Sequence, residues 1–212
     1  MNAENNTFKA FVLRVTQTSE SFLKIDFITP NHGLINALFR YSPSPRRNNN
    51  LKPDLFDTCE ININIRDKTK GRFLKEYNPM IKRTNIGKSY NSLDHACLFA
   101  KFLLINLGNV PDPSDLYILV EKSFNSFNSE APPEIVLIKA VYNFLKTEGF
   151  PVNSSWWQSI PASKKKASQI ILRSPVNKKF DASEIEDAIF LSRHLGNWIR
   201  DSTELKSIYL NK

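Results

Sequence analysis

Cys59-Glu60-Ile61-Asn62-Ile63-Asn64-Ile65-Arg66 places an apolar side chain at every second position and a polar one between. Successive side chains of a β-strand point to opposite faces, so this period of two predicts a strand with one buried and one solvated face. A helix would scatter Cys59, Ile61, Ile63 and Ile65 around its circumference. Outward from this strand, residues 8–15, 22–29 and 34–39 are rich in β-branched and aromatic side chains and predict three earlier strands. In the second of these, Leu23, Ile25 and Phe27 make a wholly apolar face opposite Phe22, Lys24, Asp26 and Ile28. Pro30-Asn31-His32-Gly33 reads as a tight turn into the third, with Pro fixing φ and Asn or Gly accepting φ > 0.

Residues 42–50 combine two prolines, Arg46, Arg47 and a run of asparagines, and predict an exposed loop. Arg66-Asp67-Lys68-Thr69-Lys70-Gly71 reads as a basic hairpin tip, and Arg72-Phe73-Leu74-Lys75-Glu76-Tyr77 as a fifth strand ending before Pro79. Short antiparallel strands of this number in about 80 residues fit a small OB-type barrel. Beyond Ser89 the period becomes helical. Leu93, Ala96, Cys97, Ala100, Leu103, Leu104 and Leu107 share one helical face, and Gly108 is a natural stop. Asp112-Pro113 opens a second helix and Pro133 a third, which runs through Ile135, Ile138 and Tyr142 to Gly149. A less regular basic segment, 163–179, carries Lys164-Lys165-Lys166. Ser183 and Glu186 have capping-box spacing, and a short last helix is expected over 203–210. The expected fold is therefore α+β: a five-stranded OB-fold β-barrel over 1–82 followed by an α-helical bundle domain over 83–212.

The chain has 212 residues, 41% of them hydrophobic, enough for a buried core. Residues 1–90 hold 15 of the 29 Lys and Arg but 8 of the 21 Asp and Glu, so +7 of the net +8 lies in the first 90 residues. A field concentrated in one half of the chain suits a polyanion, nucleic acid first. The start of the sequence is polar and lacks an apolar signal region, and no apolar run approaches the ~20 residues of a membrane helix, so a cytoplasmic protein without membrane partners is expected. Cys59 and Cys97 lie far apart and read as small core residues.

Catalytic signals are missing. His32, His95 and His194 have no metal-ligand spacing, and no phosphate loop, nucleophile elbow or dinucleotide fingerprint occurs. Asp181, Glu184, Glu186 and Asp187 cluster where a helix begins, which the helix dipole explains. No enzyme and no cofactor or metal is expected. Binding chemistry is present instead: Arg40, Arg46, Arg47 and Lys52 bracket the first long loop, and Arg66, Lys68, Lys70 and Arg72 occupy the second hairpin. Converging on one groove, these cations would neutralise phosphates, and Tyr41 or Phe39 beside them could stack on an unpaired base.

The order of these parts and several short strings resemble the bacterial DNA repair protein RecO family. The strings are Ala10-Phe11-Val12-Leu13, Ser19-Glu20-Ser21, Asp26, Thr29 and Gly33, then Phe144-Leu145-Lys146-Thr147-Glu148-Gly149-Phe150, and finally Leu205-Lys206-Ser207. Arg40-Tyr41 stands where the family usually has Lys-Gly. Residues 153–180 would be a shortened, cysteine-free counterpart of the zinc module many members carry, with Trp156 and Trp157 packing as a plug. The resemblance implies a recombination mediator that binds single- and double-stranded DNA, anneals complementary strands and, with RecR, helps load RecA onto DNA coated by single-stranded DNA-binding protein. It would be associated with the nucleoid when bound to DNA. It also implies a pocket in the helical domain for the acidic C-terminal tail of that coating protein. By position in the third helix, Ile135 and Ile138 would line the pocket and Lys139 would pair with the tail's carboxylates. The alternative reading is an OB-fold RNA-binding or ribosome-associated protein.

Overall fold

A computed structural model describes residues 7–41, 51–63, 72–109 and 113–207. The loop at 42–50, the hairpin tip with Arg66, Lys68 and Lys70, and the last positions of the expected terminal helix lie outside the described residues. The chain divides into two compact units, Met1–Arg83 with Pro111–Tyr117, and Thr84–Val110 with Ile118–Lys212.

The first unit holds five strands, β1 (Thr7–Ser19), β2 (Phe22–Thr29), β3 (Gly33–Arg40), β4 (Thr58–Ile63) and β5 (Leu74–Ile81). They form one sheet in the order β3-β2-β1-β4-β5, with each neighbouring pair antiparallel. The alternation read from the sequence sets the register. Leu23, Ile25 and Phe27 on β2 and Cys59, Ile61 and Ile63 on β4 join one buried cluster with Ala10, Val12, Ile35, Ala37 and Phe39. The opposite face of β2 is less wet than its polar residues suggest: Ile28 is fully buried, and Asp26 is buried with its carboxylate 2.7 Å from Arg14 Nε. The Pro30 turn closes as expected, with Gly33 at φ 61° and the Thr29 hydroxyl both accepting from the His32 amide and donating to the Gly33 carbonyl. β5 does not stop before Pro79 but runs through it. An edge strand tolerates Pro because no partner needs its missing N–H.

Two buried polar groups brace the β4 end of this unit. Arg83 Nη1 donates to the Phe56 carbonyl at 2.7 Å and to Thr58 Oγ1 at 3.0 Å, and the guanidinium lies 4.9 Å from the Phe11 ring centroid. Phe56 itself has φ 66°, a left-handed conformation that a bulky residue keeps only when its surroundings fix it. The Arg83 bond to its carbonyl and its own amide bond to the Val12 carbonyl do so. The Tyr77 hydroxyl donates to Asp57 Oδ2 at 2.5 Å.

Burial raises the Asp57 pKa above the ordinary 3.8, against the opposing Tyr77 bond, and burial with the nearby Asp57 charge pushes the Cys59 thiol up to about 12. Between 3.8 and its raised value, Asp57 holds a proton in the folded chain that it has lost in the unfolded one. Its contribution to stability is therefore whole below 3.8 and fades as pH rises through the folded value. Asp57→Asn keeps an acceptor for Tyr77 and should flatten this part of the decline between about pH 4 and pH 7 in urea titrations. An unchanged difference between wild type and variant at the two pH values would mean that Asp57 ionises as freely in the fold as out of it.

The second unit contains α1 (Tyr90–Asn106), most of α2 (Pro113–Phe127), α3 (Pro133–Thr147), a short α4 (Trp157–Ser159), α5 (Ala162–Arg173) and α6 (Ala182–Ser202). α3 packs against both α1 and α6, and eight of its residues are buried. Phe102 and Phe144 meet edge to face with ring centroids 5.1 Å apart, and Phe99, Phe124 and Phe127 cluster beside them. Cys97, expected in the core, is exposed on α1.

Three further expectations change. The segment 163–179, read as irregular, holds all of α5 but its first residue, Ala162. Its lysines are good helix formers, and a helix needs little apolar content when only Ser168 and Ile171 are buried. The capping box lies two residues earlier than Ser183 and Glu186: Asp181 accepts from the Glu184 amide at 2.9 Å while Glu184 accepts from the Asp181 amide at 3.0 Å. Residues 203–207 are not helical, because the Thr203 hydroxyl ends α6 by donating to the Ile199 carbonyl and the chain turns to bond Asn106.

Candidate nucleic-acid interface

β2 begins where β3 ends, beside the end of β1, whereas the register of β4 and β5 puts the start of β5 at the Thr7 end of β1. Phe22 lies opposite Arg40 and Lys24 opposite Leu38, so these four side chains share the face of β2–β3 that points away from the Leu23–Ile25–Phe27 core. The Leu38 amide donates to the Arg72 carbonyl at 2.8 Å, and Leu38 and Phe73 form a parallel bridge. This bond draws the start of β5 to the end of β3. It brings the Phe73 ring within 6.2 Å of Phe22 at an interplanar angle of 64°, an edge-to-face pair.

Arg40 and Lys52 are exposed and Arg72 is half-buried. Among the described residues none of the three enters an ion pair. Tyr41, the expected stacking residue, continues the inward register of Ala37 and Phe39 and is half-buried against the core cluster. Lys52 Nζ lies 5.5 Å from its ring centroid. Phe39 is buried in that cluster. The accessible aromatic is Phe73, which is 48% exposed. Of the expected cations, Arg40, Lys52 and Arg72 gather at this end, while Arg46, Arg47, Arg66, Lys68 and Lys70 lie outside the described residues.

Sequence periodicity does not single out Phe22, Phe73 or Lys24, although one signal exists for Phe73. It precedes Leu74 directly, and two adjacent strand residues cannot both face one core. Leu74 takes the buried position, so Phe73 turns out.

The residues expected to hold an acidic tail are placed differently. Ile135 and Ile138 are fully buried within the helical core and offer no exposed apolar wall. Lys139 Nζ donates to the carbonyls of Ile171, Leu172 and Ser174 at 2.9, 2.8 and 2.7 Å. An ammonium has three donors, so Lys139 serves as the C-terminal cap of α5. Burial lowers its pKa.

Among the described residues no three His, Cys, Asp or Glu side chains gather as metal ligands would. The acidic cluster at α6 is occupied otherwise: Asp181 and Glu184 form the capping box, Glu184 also pairs with Lys178, and Asp187 pairs with Lys164. His194 Nδ1 accepts from the indole of Trp156 at 3.0 Å, which assigns it the neutral tautomer with hydrogen on Nε2. No helix among the described residues is long and apolar enough to cross a membrane. The chain matches no protein-family model and no curated protein sequence.

Proposed function

We propose that the chain binds single-stranded nucleic acid across the end of its five-stranded sheet and anneals complementary strands without a covalent step or a cofactor. The observation that carries this is the Phe22–Phe73 pair, with Phe73 48% exposed and flanked by Lys24, Arg40 and Arg72. Single-strand binders combine stacking aromatics with cations that follow the backbone, and every base offers a face to stack on. The strand order β3-β2-β1-β4-β5, with a parallel bridge joining β3 to β5, supports an OB-type barrel, whose β2–β3 face commonly receives oligonucleotides.

The resemblance to the RecO family gives the proposed setting. DNA strands coated by single-stranded DNA-binding protein are the substrate, with RecR as partner and RecA as the protein loaded. The acidic-tail pocket at Ile135, Ile138 and Lys139 is not carried into this proposal, since those side chains are already engaged within the chain.

Complementary strands coated with that binding protein should anneal faster on addition of this chain, without nucleotide or metal. Phe73→Ala should weaken single-strand binding about 5- to 150-fold, the range for one stacked base. Arg40→Ala with Arg72→Ala should flatten the log–log salt slope by about 0.7 for each phosphate that is no longer neutralised. Unchanged affinity and slope would remove the sheet end as the site. Binding confined to structured RNA, with no annealing, would favour the ribosome-associated alternative.

A further inference from the structure

The helical unit carries a separate groove that neither strand annealing nor the sheet end explains. Its volume is about 470 Å³, within the ~300–1,000 Å³ common for small-molecule sites, and α3, α5, the start of α4 and the turn before it line it. Lys146 and Arg173 supply two cations at its wall, and no carboxylate lines it. Each cation stands in the last turn of its own helix, where the dipole alone favours a positive charge. The dipole does not account for their facing one groove together with two aromatic residues, Trp157 and Tyr142. Trp157 is half-buried, whereas the preceding Trp156 is fully buried in the core. The Tyr142 hydroxyl donates to Asn153 Oδ1 at 2.5 Å, fixing the ring at the groove's edge, and burial raises its pKa so that the hydroxyl stays a donor. The remaining polar lining is carboxamide, from Asn143, Asn153 and Gln169.

We propose that this groove binds one nucleoside monophosphate unit, with the base against Trp157 and the phosphate between Lys146 and Arg173. Each element of the lining has a counterpart in that ligand. A carboxamide presents a donor and an acceptor side by side, the pattern of a base edge. An indole matches the flat, weakly polar face of the base, and paired cations match the phosphate. An acidic peptide with aliphatic side chains fits less well, because Leu172 is the single aliphatic residue in the lining. A free nucleotide and a nucleotide within a single strand present the same chemistry to the groove.

Trp157 makes the test direct, since Trp156 and Trp198 are buried and only Trp157 lines the groove. Titration of the full chain with dAMP should quench tryptophan fluorescence saturably by the millimolar range. A tetranucleotide binding more tightly than dAMP identifies a strand as the source, and equal affinity identifies the free nucleotide. Trp157→Phe should remove the quench while equilibrium dialysis, run with Phe73→Ala to silence stacking at the sheet end, still detects binding. Lys146→Gln with Arg173→Gln, both at the surface of the groove and so compatible with folding, should weaken binding by about tenfold or more. Phe73→Ala should leave the dAMP affinity read from the Trp157 quench unchanged, since that signal reports the groove and not the sheet-end site. The proposal is overturned by absence of saturable binding, by full affinity in the double variant, or by a stronger response to an acidic peptide than to dAMP.

Discussion

Ile63→Asp should abolish the cooperative thermal transition of the sheet. Ile63 is 1% exposed and lies inward on β4, opposite Leu74 of β5 and in line with Cys59 and Ile61. Removing a buried aliphatic side chain costs about 2–5 kcal/mol through forfeited transfer energy and the space left behind. A carboxylate in its place adds several kcal/mol for an ion, or a proton held far above the usual carboxylate range, because the cluster around it is apolar. The two terms together approach the whole stability of a typical domain, about 5–15 kcal/mol. Ile63→Val removes one methylene from the same place and should cost only about 0.5–1.5 kcal/mol. Near-ultraviolet circular dichroism during heating separates the outcomes. A wild-type melt for the Asp variant would mean that the β4 side chains alternate in the opposite sense.

Trp156→Ala has the second largest expected effect. Trp156 is fully buried in the π-helical turn Val152–Trp156, its ring centroid is 5.7 Å from Tyr142, and its indole donates to His194 on α6. Truncation should cost about 3–5 kcal/mol in urea denaturation, set by how far the surrounding helices can relax into the gap. Trp156→Phe retains most of the ring and gives up the bond to His194, whose half-exposed imidazole can turn to water, so its cost should stay near 1 kcal/mol. Equal destabilisation by Ala and Phe would show that the hydrogen bond, not the ring volume, holds the turn.

The sheet was legible because its signal is local. Ile61 and Ile63 repeat at the strand period, and Pro30 to Gly33 carry the backbone preferences of a turn. The α1 periodicity was legible for the same reason, yet Cys97 at the margin of its apolar face is exposed. What escaped depends on neighbours distant in sequence. α5 carries few buried residues, so period-based reading finds nothing to follow, and its C-terminal end is capped by Lys139 from more than thirty positions away. The π-helical turn before α4 follows no common period.

The candidate site divides in the same way. Arg40 and Arg72 are visible in the sequence as charges beside strand ends. The pairing of Phe22 with Phe73, fifty-one positions apart, depends on the Leu38–Phe73 bridge, which no local pattern encodes. Tyr41 suggests itself for stacking by adjacency to Arg40, but adjacent strand residues face opposite ways, and Tyr41 is the inward one.

The bond from the Leu38 amide to the Arg72 carbonyl also bears on how copies of this chain behave when concentrated. A sheet ordered β3-β2-β1-β4-β5 ends in two strands whose outer amides and carbonyls could template a neighbouring molecule and seed fibrils. At Leu38 and Arg72 those two margins satisfy each other, so part of the sheet's adhesive rim is used up inside the chain. Pro79 on β5 adds a position with no amide to offer, and Lys75 and Glu76 place charge along the same margin. Within this unit, the connectivity of the strands therefore leaves less free edge for a second copy to pair with.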